Sequence, residues 1–148
     1  WHDRVMILHS ARFDELDVRT LYALMKLRTE VFVVEQSCPY PELDGRDTEP
    51  DTRHLWLAPP GEPADPRAYL RVLVEPDGAR RIGRVCTAVS GRGAGLSGRL
   101  MIVALDGGGS FVLDAQSYLV GFYARFGFVA AGPEFIEDGI AHTPMRKG

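Results

Sequence analysis

The sequence predicts a mixed α/β fold, of the α+β kind, in which a central sheet carries interleaved helices. Three observations support this. Apolar residues Leu21, Leu24, Met25, Leu27, Val31 and Phe32 recur at helical spacing. Short β-branched or alternating runs at 54–58, 68–74, 82–88 and 111–114 are bounded by turn residues. The two kinds of segment alternate along the chain instead of falling into separate blocks. At 148 residues the chain suits a single domain, 1–148, able to bury a sizeable core.

The elements follow in order. A helix is expected over about 18–34, with Asp17 capping its first turn. Its β-branched end, Val31 to Val34, is expected to fray or extend. Residues 36–52 hold three prolines and a run of carboxylates, which predicts a long loop that is functional or mobile. Strands at 54–58 and 68–74 flank a proline-rich turn and should pair antiparallel. A third strand over 82–88 leads into a glycine loop, then a short helix over 96–105 that Gly107, Gly108 and Gly109 terminate. Residues 111–114 form a buried-type strand. Ser117 is placed to cap a helix running to Phe126 that Gly127 ends. The tail, 128–145, has room for two short strands around Glu137-Asp138-Gly139.

Composition narrows the function. A net charge of −3 gives no bulk attraction for nucleic acid or an anionic membrane, so neither is expected as a partner. Two cysteines, Cys38 and Cys86, do not make a disulfide framework, and a reducing cytoplasm is the expected setting. No apolar run reaches membrane-spanning length, and Trp1-His2-Asp3-Arg4 lacks the layout of a signal peptide. Trp1 is no natural start, so residues are expected before it. The carboxylates at 42, 44, 47 and 49 depart from calcium-loop spacing, and no metal is expected. They are expected either to attract a cationic amine or to form a solvated surface. Monomer and homodimer are equally open.

The glycine loop carries the most chemistry. Gly93-Ala94-Gly95-Leu96-Ser97-Gly98 fits the G-x-G-x-x-G dinucleotide spacing, with Asp114 about twenty residues on. The intervening Val89-Ser90-Gly91-Arg92, the short remaining chain and the antiparallel neighbours speak against that reading. The alternative starts one residue earlier, at Arg92: backbone N–H groups at a helix start hold a diphosphate, and the arginine adds charge at the rim.

At this point the sequence resembles the GNAT family of N-acetyltransferases. Arg92-x-x-Gly95-x-Ser97-Gly98 is similar to the family's pyrophosphate loop, with Ser97 where glycine or alanine is usual. Phe122-Tyr123-x-x-x-Gly127-Phe128 is similar to its F-Y-x-x-x-G-F element. Val31-Phe32-Val33-Val34-Glu35-Gln36-x-Cys38-Pro39-Tyr40, Asp44-Gly45-x-Asp47, Arg53-His54, Ile82-Gly83-Arg84-Val85 and Glu137-Asp138-Gly139-Ile140-x-His142 resemble the ElaA-like branch. The resemblance implies a twisted sheet of six or seven strands. Its parallel fourth and fifth strands, 82–88 and 111–114, splay apart, and the helix at Leu96 makes a right-handed crossover between them.

It also implies a function: acetyl-CoA-dependent acylation of a small-molecule or peptide amine by direct attack. A catalytically silent CoA-binding sensor is the rival, and a dinucleotide oxidoreductase a weaker one. Main-chain groups of Val85, Cys86 and Thr87 would align the pantetheine arm and polarise the thioester. Residues Arg92, Gly93, Ala94, Gly95, Leu96, Ser97 and Gly98 would cradle the diphosphate, with Gln116 assisting. Tyr123 would protonate the departing thiolate. Cys86 is expected to be an apolar strand residue, not a nucleophile. Glu35, His54, Glu137 and His142 are candidate bases. Glu35 qualifies if partial burial raises its pKa, and His54 because imidazole titrates near neutrality.

Overall fold

Asp17 starts the first helix as its chemistry requires: its carboxylate accepts the Thr20 N–H at 2.7 Å. In the computed structural model, which describes residues 5–148, that helix is α1, Val18–Thr29. Trp1 to Arg4, read above for a leader signal, lie outside the described residues. The β-branched stretch after α1 neither frays nor extends. It continues as a wide π-helical turn, Glu30–Glu35, with Gln36 N–H donating to Val31 at 3.3 Å and Cys38 N–H to Val33 at 3.0 Å. One extra residue per turn re-aims the side chains that follow, a device often found at functional sites.

Among the described residues the sheet has eight strands, more than the six or seven expected, because the tail folds into three strands instead of two. The eight are β1 (Ile7–Ala11), β2 (Arg53–Ala58), β3 (Ala68–Val74), β4 (Arg80–Thr87), β5 (Phe111–Gln116), β6 (Val129–Ala130), β7 (Phe135–Glu137) and β8 (Ile140–Lys147). Their order is β1-β2-β3-β4-β5-β8-β6, with β7 also paired to β8. The expected antiparallel pairing of the second and third strands is present, with Leu55 opposite Leu70. β1 was not anticipated, because three of its five residues are exposed and it carries no strong alternation. It pairs antiparallel with β2, Ile7 against Ala58 through Ala11 against His54.

Helix α2, Leu96–Ala104, carries the chain from β4 to the parallel β5. The parallel pairing covers only Arg80 with Phe111 and Arg81 with Val112. β5 then stays with β8 across six positions, Phe111–Lys147 to Gln116–His142. β4 keeps its bonds to β3 instead, and the two parallel strands part. The helix expected from Ser117 is shorter and differently capped. A 3₁₀ turn, Ser117–Leu119, precedes α3, Val120–Ala124, and the Ser117 hydroxyl pairs with Thr143 Oγ1 at 2.9 Å instead of capping.

Alternation along the strands separates two apolar clusters. Leu55, Leu57, Leu70, Val72 and Ile82 join α2 and Phe128, while Trp56, Tyr69 and Cys86 join α1 through Leu24 and Leu27. Ile82 and Cys86, four apart, would share a face in a regular strand. They do not, because β4 carries a bulge: Tyr69 faces Cys86 but Arg71 faces Gly83, so three steps on β4 match two on β3. Arg84, at φ 53°, is the left-handed residue in that bulge.

Candidate active site

Where β4 and β5 part, a cavity of about 880 Å³ opens between them. Val85, Cys86 and Thr87 line one wall and Leu113, Asp114 and Gln116 the other. Because β4 has left β5 at this level, its edge toward the cavity carries main-chain groups without a β5 partner.

At one end of the cavity stands the glycine loop. Gly93 (φ 85°) and Gly95 (φ 72°) both adopt left-handed backbone, and a Cβ on either would meet nothing within 4 Å. Their role is therefore conformational. Gly95 is the N-cap of α2 and supplies no side-chain cap, so the first helical N–H groups, Leu96 to Gly98, have no helical acceptor. That is the anion-binding end of a helix dipole. The Leu96 side chain is core, so its contribution is its peptide group. The loop is tied back to β4: Thr87 Oγ1 pairs with Ser97 Oγ at 2.7 Å, and Arg92 Nε donates to the Thr87 carbonyl at 3.2 Å. Arg92 and Ser97 line the cavity, whereas Gly93, Ala94, Gly95, Leu96 and Gly98 are not part of its lining.

Tyr123 lines the cavity from α3. Its ring packs edge-on against Phe122 at 5.0 Å and Phe128 at 6.3 Å. Burial pushes its phenol pKa above the ordinary tyrosine value, so the group stays protonated. Cys86 is likewise protonated: burial pushes its thiol up to about 12, which suits a strand residue and not a nucleophile.

The base candidates separate cleanly. Glu35 ends the π turn and lines the cavity, but it is exposed and bound to Arg92 at 2.7 and 2.5 Å. The Arg92 hydrogen bond lowers its pKa, against the small effect of burial. The expected upward shift is thus reversed. His54 does not reach the cavity. It is fully buried, with Nδ1 on Tyr69 Oη at 2.6 Å and Nε2 on the Asp47 carbonyl at 3.1 Å. Burial lowers its pKa, so it is a neutral structural imidazole, not a base at the site. Glu137 and His142 both line the cavity. His142 Nδ1 lies 2.8 Å from the Ile140 carbonyl and its ring stacks on Phe135. A carbonyl only accepts, so Nδ1 carries the proton of this bond, and a singly protonated ring of that tautomer has its lone pair on Nε2.

Much of the loop over 36–52 is exposed, as expected of a solvated surface, but three of its carboxylates are not free. Arg28, fully buried on α1, donates to Glu42 at 2.5 Å and Asp47 at 2.6 Å. Arg71 of β3 holds Asp44 at 2.5 Å and Asp47 at 3.1 Å. Arg84 reaches Glu42 at 3.0 Å and Asp44 at 3.4 Å. The carboxylates at 42, 44 and 47 are therefore committed to internal arginines. Tyr40, Asp44, Arg71 and Arg84 bring this network to the cavity wall. Sequence reasoning missed the three arginines because their partners lie 14 to 42 residues away. Gln36 and Gln116, the latter anticipated, exchange amide contacts at 3.3 and 3.4 Å across the cavity. Asp114 is bound by Arg81 at 3.2 Å. Among the described residues the sheet has one parallel pair, not the parallel strands around a switch point that a dinucleotide needs. No group of three metal-ligating residues and no helix long and apolar enough to cross a membrane is found among those residues.

Comparison with known proteins agrees with this geometry. A family profile described as an acetyltransferase (GNAT) domain matches residues 70–148. A UPF0039 protein of Mycobacterium tuberculosis is 52% identical over 138 residues, covering 90% of this chain and 87% of the relative. The crystal structure of an acyl-CoA N-acyltransferase from Pseudomonas aeruginosa superposes with TM-score 0.89 at 40% identity, over 97% of this chain and 99% of that one. Escherichia coli ElaA superposes with TM-score 0.87 at 34% identity, over the same shares of the two chains. The chain belongs to the GNAT acetyltransferase family, in the group that includes ElaA.

Proposed function

We propose that the protein transfers an acetyl group from acetyl-CoA to a primary amine of a small molecule or peptide. The observation that carries this is the splay of β4 from β5. It sets an unpaired strand edge, a helix N-terminus with Arg92, and a buried protonated tyrosine around one cavity. The diphosphate of the donor fits the N–H groups of Leu96 to Gly98, with Arg92 as counter-charge. Its pantetheine arm fits the free edge of Val85 to Thr87 as an added strand would.

In the reaction the amine lone pair attacks the thioester carbon, forming C–N while C–S breaks. Tyr123 donates its phenolic proton to the departing thiolate. The attacking nitrogen sheds its proton toward Nε2 of His142, directly or through water, and the tautomer fixed by the Ile140 carbonyl leaves that nitrogen able to accept it. Cys86 forms no acyl intermediate.

The test is release of free CoA thiol over an amine library. Tyr123→Phe keeps the ring packing and removes only the acid. It should lower kcat by about a hundredfold, the scale of a lost general acid, with donor affinity unchanged. Unchanged turnover on an accepted amine would remove Tyr123 from the mechanism. Donor binding without turnover on any amine would favour a CoA-binding sensor on the same fold.

A further inference from the structure

The bulge in β4 is placed where the strand must change direction, and it is occupied by an unexpected residue. Arg84 takes the left-handed conformation at φ 53°, although Gly83, which would adopt it freely, stands next to it without a positive φ. A side chain at a disfavoured backbone position implies that the side chain is holding the backbone there. Its contacts bear this out. Arg84 Nε donates to Glu42 Oε2 at 3.0 Å, and one terminal nitrogen reaches the Glu42 carbonyl at 3.1 Å and Asp44 Oδ2 at 3.4 Å. The guanidinium also lies over the Tyr40 ring, 5.5 Å from its centre, and the Tyr40 hydroxyl donates to Glu42.

The receiving loop is itself anchored. Glu42 is held by Arg28 of α1, and Asp44 by Arg71 of β3, both arginines buried. Arg84 is therefore clamped from outside β4 by a loop that buried arginines of α1 and β3 hold in place. Immediately after Arg84 come Val85, Cys86 and Thr87, which line the cavity. The bulge is also what turns Cys86 to the opposite face from Ile82.

We propose that Arg84 is a positioning residue whose clamp by Tyr40, Glu42 and Asp44 aims the peptide N–H groups after Arg84 at the thioester carbonyl of the donor. The inference rests on the acyl-CoA reading above and extends it to the loop over 36–52, whose part is to fix the β4 main chain. A donor mis-aimed by a fraction of an ångström loses most of its value, so the effect belongs in the chemical step, not in donor affinity.

The test uses acetyl-CoA labelled with ¹³C at the acetyl carbonyl and needs no acceptor. Bound to the wild-type chain, the carbonyl signal should move from its free position, because hydrogen bonds polarise it. Arg84→Gly relaxes the left-handed backbone and deletes the clamp, so it should fold. It should bind acetyl-CoA within about threefold of wild type by calorimetry, yet return the carbonyl signal at least halfway to the free value. Arg84→Lys, which keeps a cation but loses the planar fork, should fall between the two. With an accepted amine, Arg84→Gly should lower kcat about tenfold with little change in donor KM. A wild-type carbonyl signal in the Arg84→Gly complex would overturn the proposal while leaving the acyl-CoA reading standing. Failure of the wild-type chain to bind acetyl-CoA would overturn both.

Discussion

Replacing Arg28 by methionine tests the buried network that holds the cavity wall. The side chain is fully buried, and methionine keeps its apolar stem while removing the charge and leaving the space of the guanidinium unfilled. It deletes hydrogen bonds to Glu42 at 2.5 Å, to Asp47 at 2.6 Å and to the Glu42 carbonyl at 3.2 Å. Removing one partner of a buried ion pair costs roughly 3–5 kcal/mol. Here Glu42 keeps Arg84 and Asp47 keeps Arg71, which puts the expected loss at the lower end, about 3 kcal/mol. For a chain of this length that is a fall in Tm of roughly 6–12 °C. The pH dependence gives a second reading. Burial raises the Asp47 pKa, but hydrogen bonds and charge from Arg28, then Arg71, more than offset it and leave it below the ordinary carboxylate value. A carboxyl depressed in the folded state adds stability above its unfolded pKa of about 4 and loses it as pH falls toward the folded value. The stability gap between wild type and Arg28→Met should therefore be full at pH 7 and narrow below about pH 4. Urea unfolding at pH 7 and pH 3 measures both. A loss under about 1 kcal/mol at pH 7, or a gap undiminished at pH 3, would refute the reasoning.

The remaining predictions concern the site. Glu35→Gln frees Arg92 from its ion pair and should tighten CoA binding severalfold at low salt, with the gain fading as salt rises, as titrations across ionic strength would show. Weaker binding would mean that Glu35 holds Arg92 in its working position. Cys86→Ala should retain turnover, and the native thiol, with its pKa pushed up to about 12, should resist alkylation at pH 8. Rapid labelling at that pH, with loss of activity, would reinstate it as a nucleophile.

The parts of the site legible in the sequence were those whose signal is local. Arg92 to Gly98 announces a helix start with left-handed turns, because only glycine adopts such turns freely and a helix must end somewhere. Tyr123 stands out beside Phe122 because neighbours on a helix face different ways. The rest depended on long-range pairing. β1 is an exposed edge strand defined by its partner β2, so its own residues say little. The loop carboxylates looked like surface charge because Arg28 and Arg71 lie on other elements. His54 looked like a base because its default pKa is near neutrality, and only its burial against Tyr69 removes it from that role. Glu35 showed the converse: the arginine 57 positions away that lowers its pKa is a cavity neighbour, not a sequence neighbour.

Calorimetric titration of the wild-type chain with acetyl-CoA, and separately with NAD, tests the central claim most directly. The splayed strands and the Arg92 loop predict saturable binding of one acetyl-CoA per chain, displaced by CoA and weakened by Arg92→Ala, with no heat from NAD. Binding of NAD in place of acetyl-CoA would contradict it.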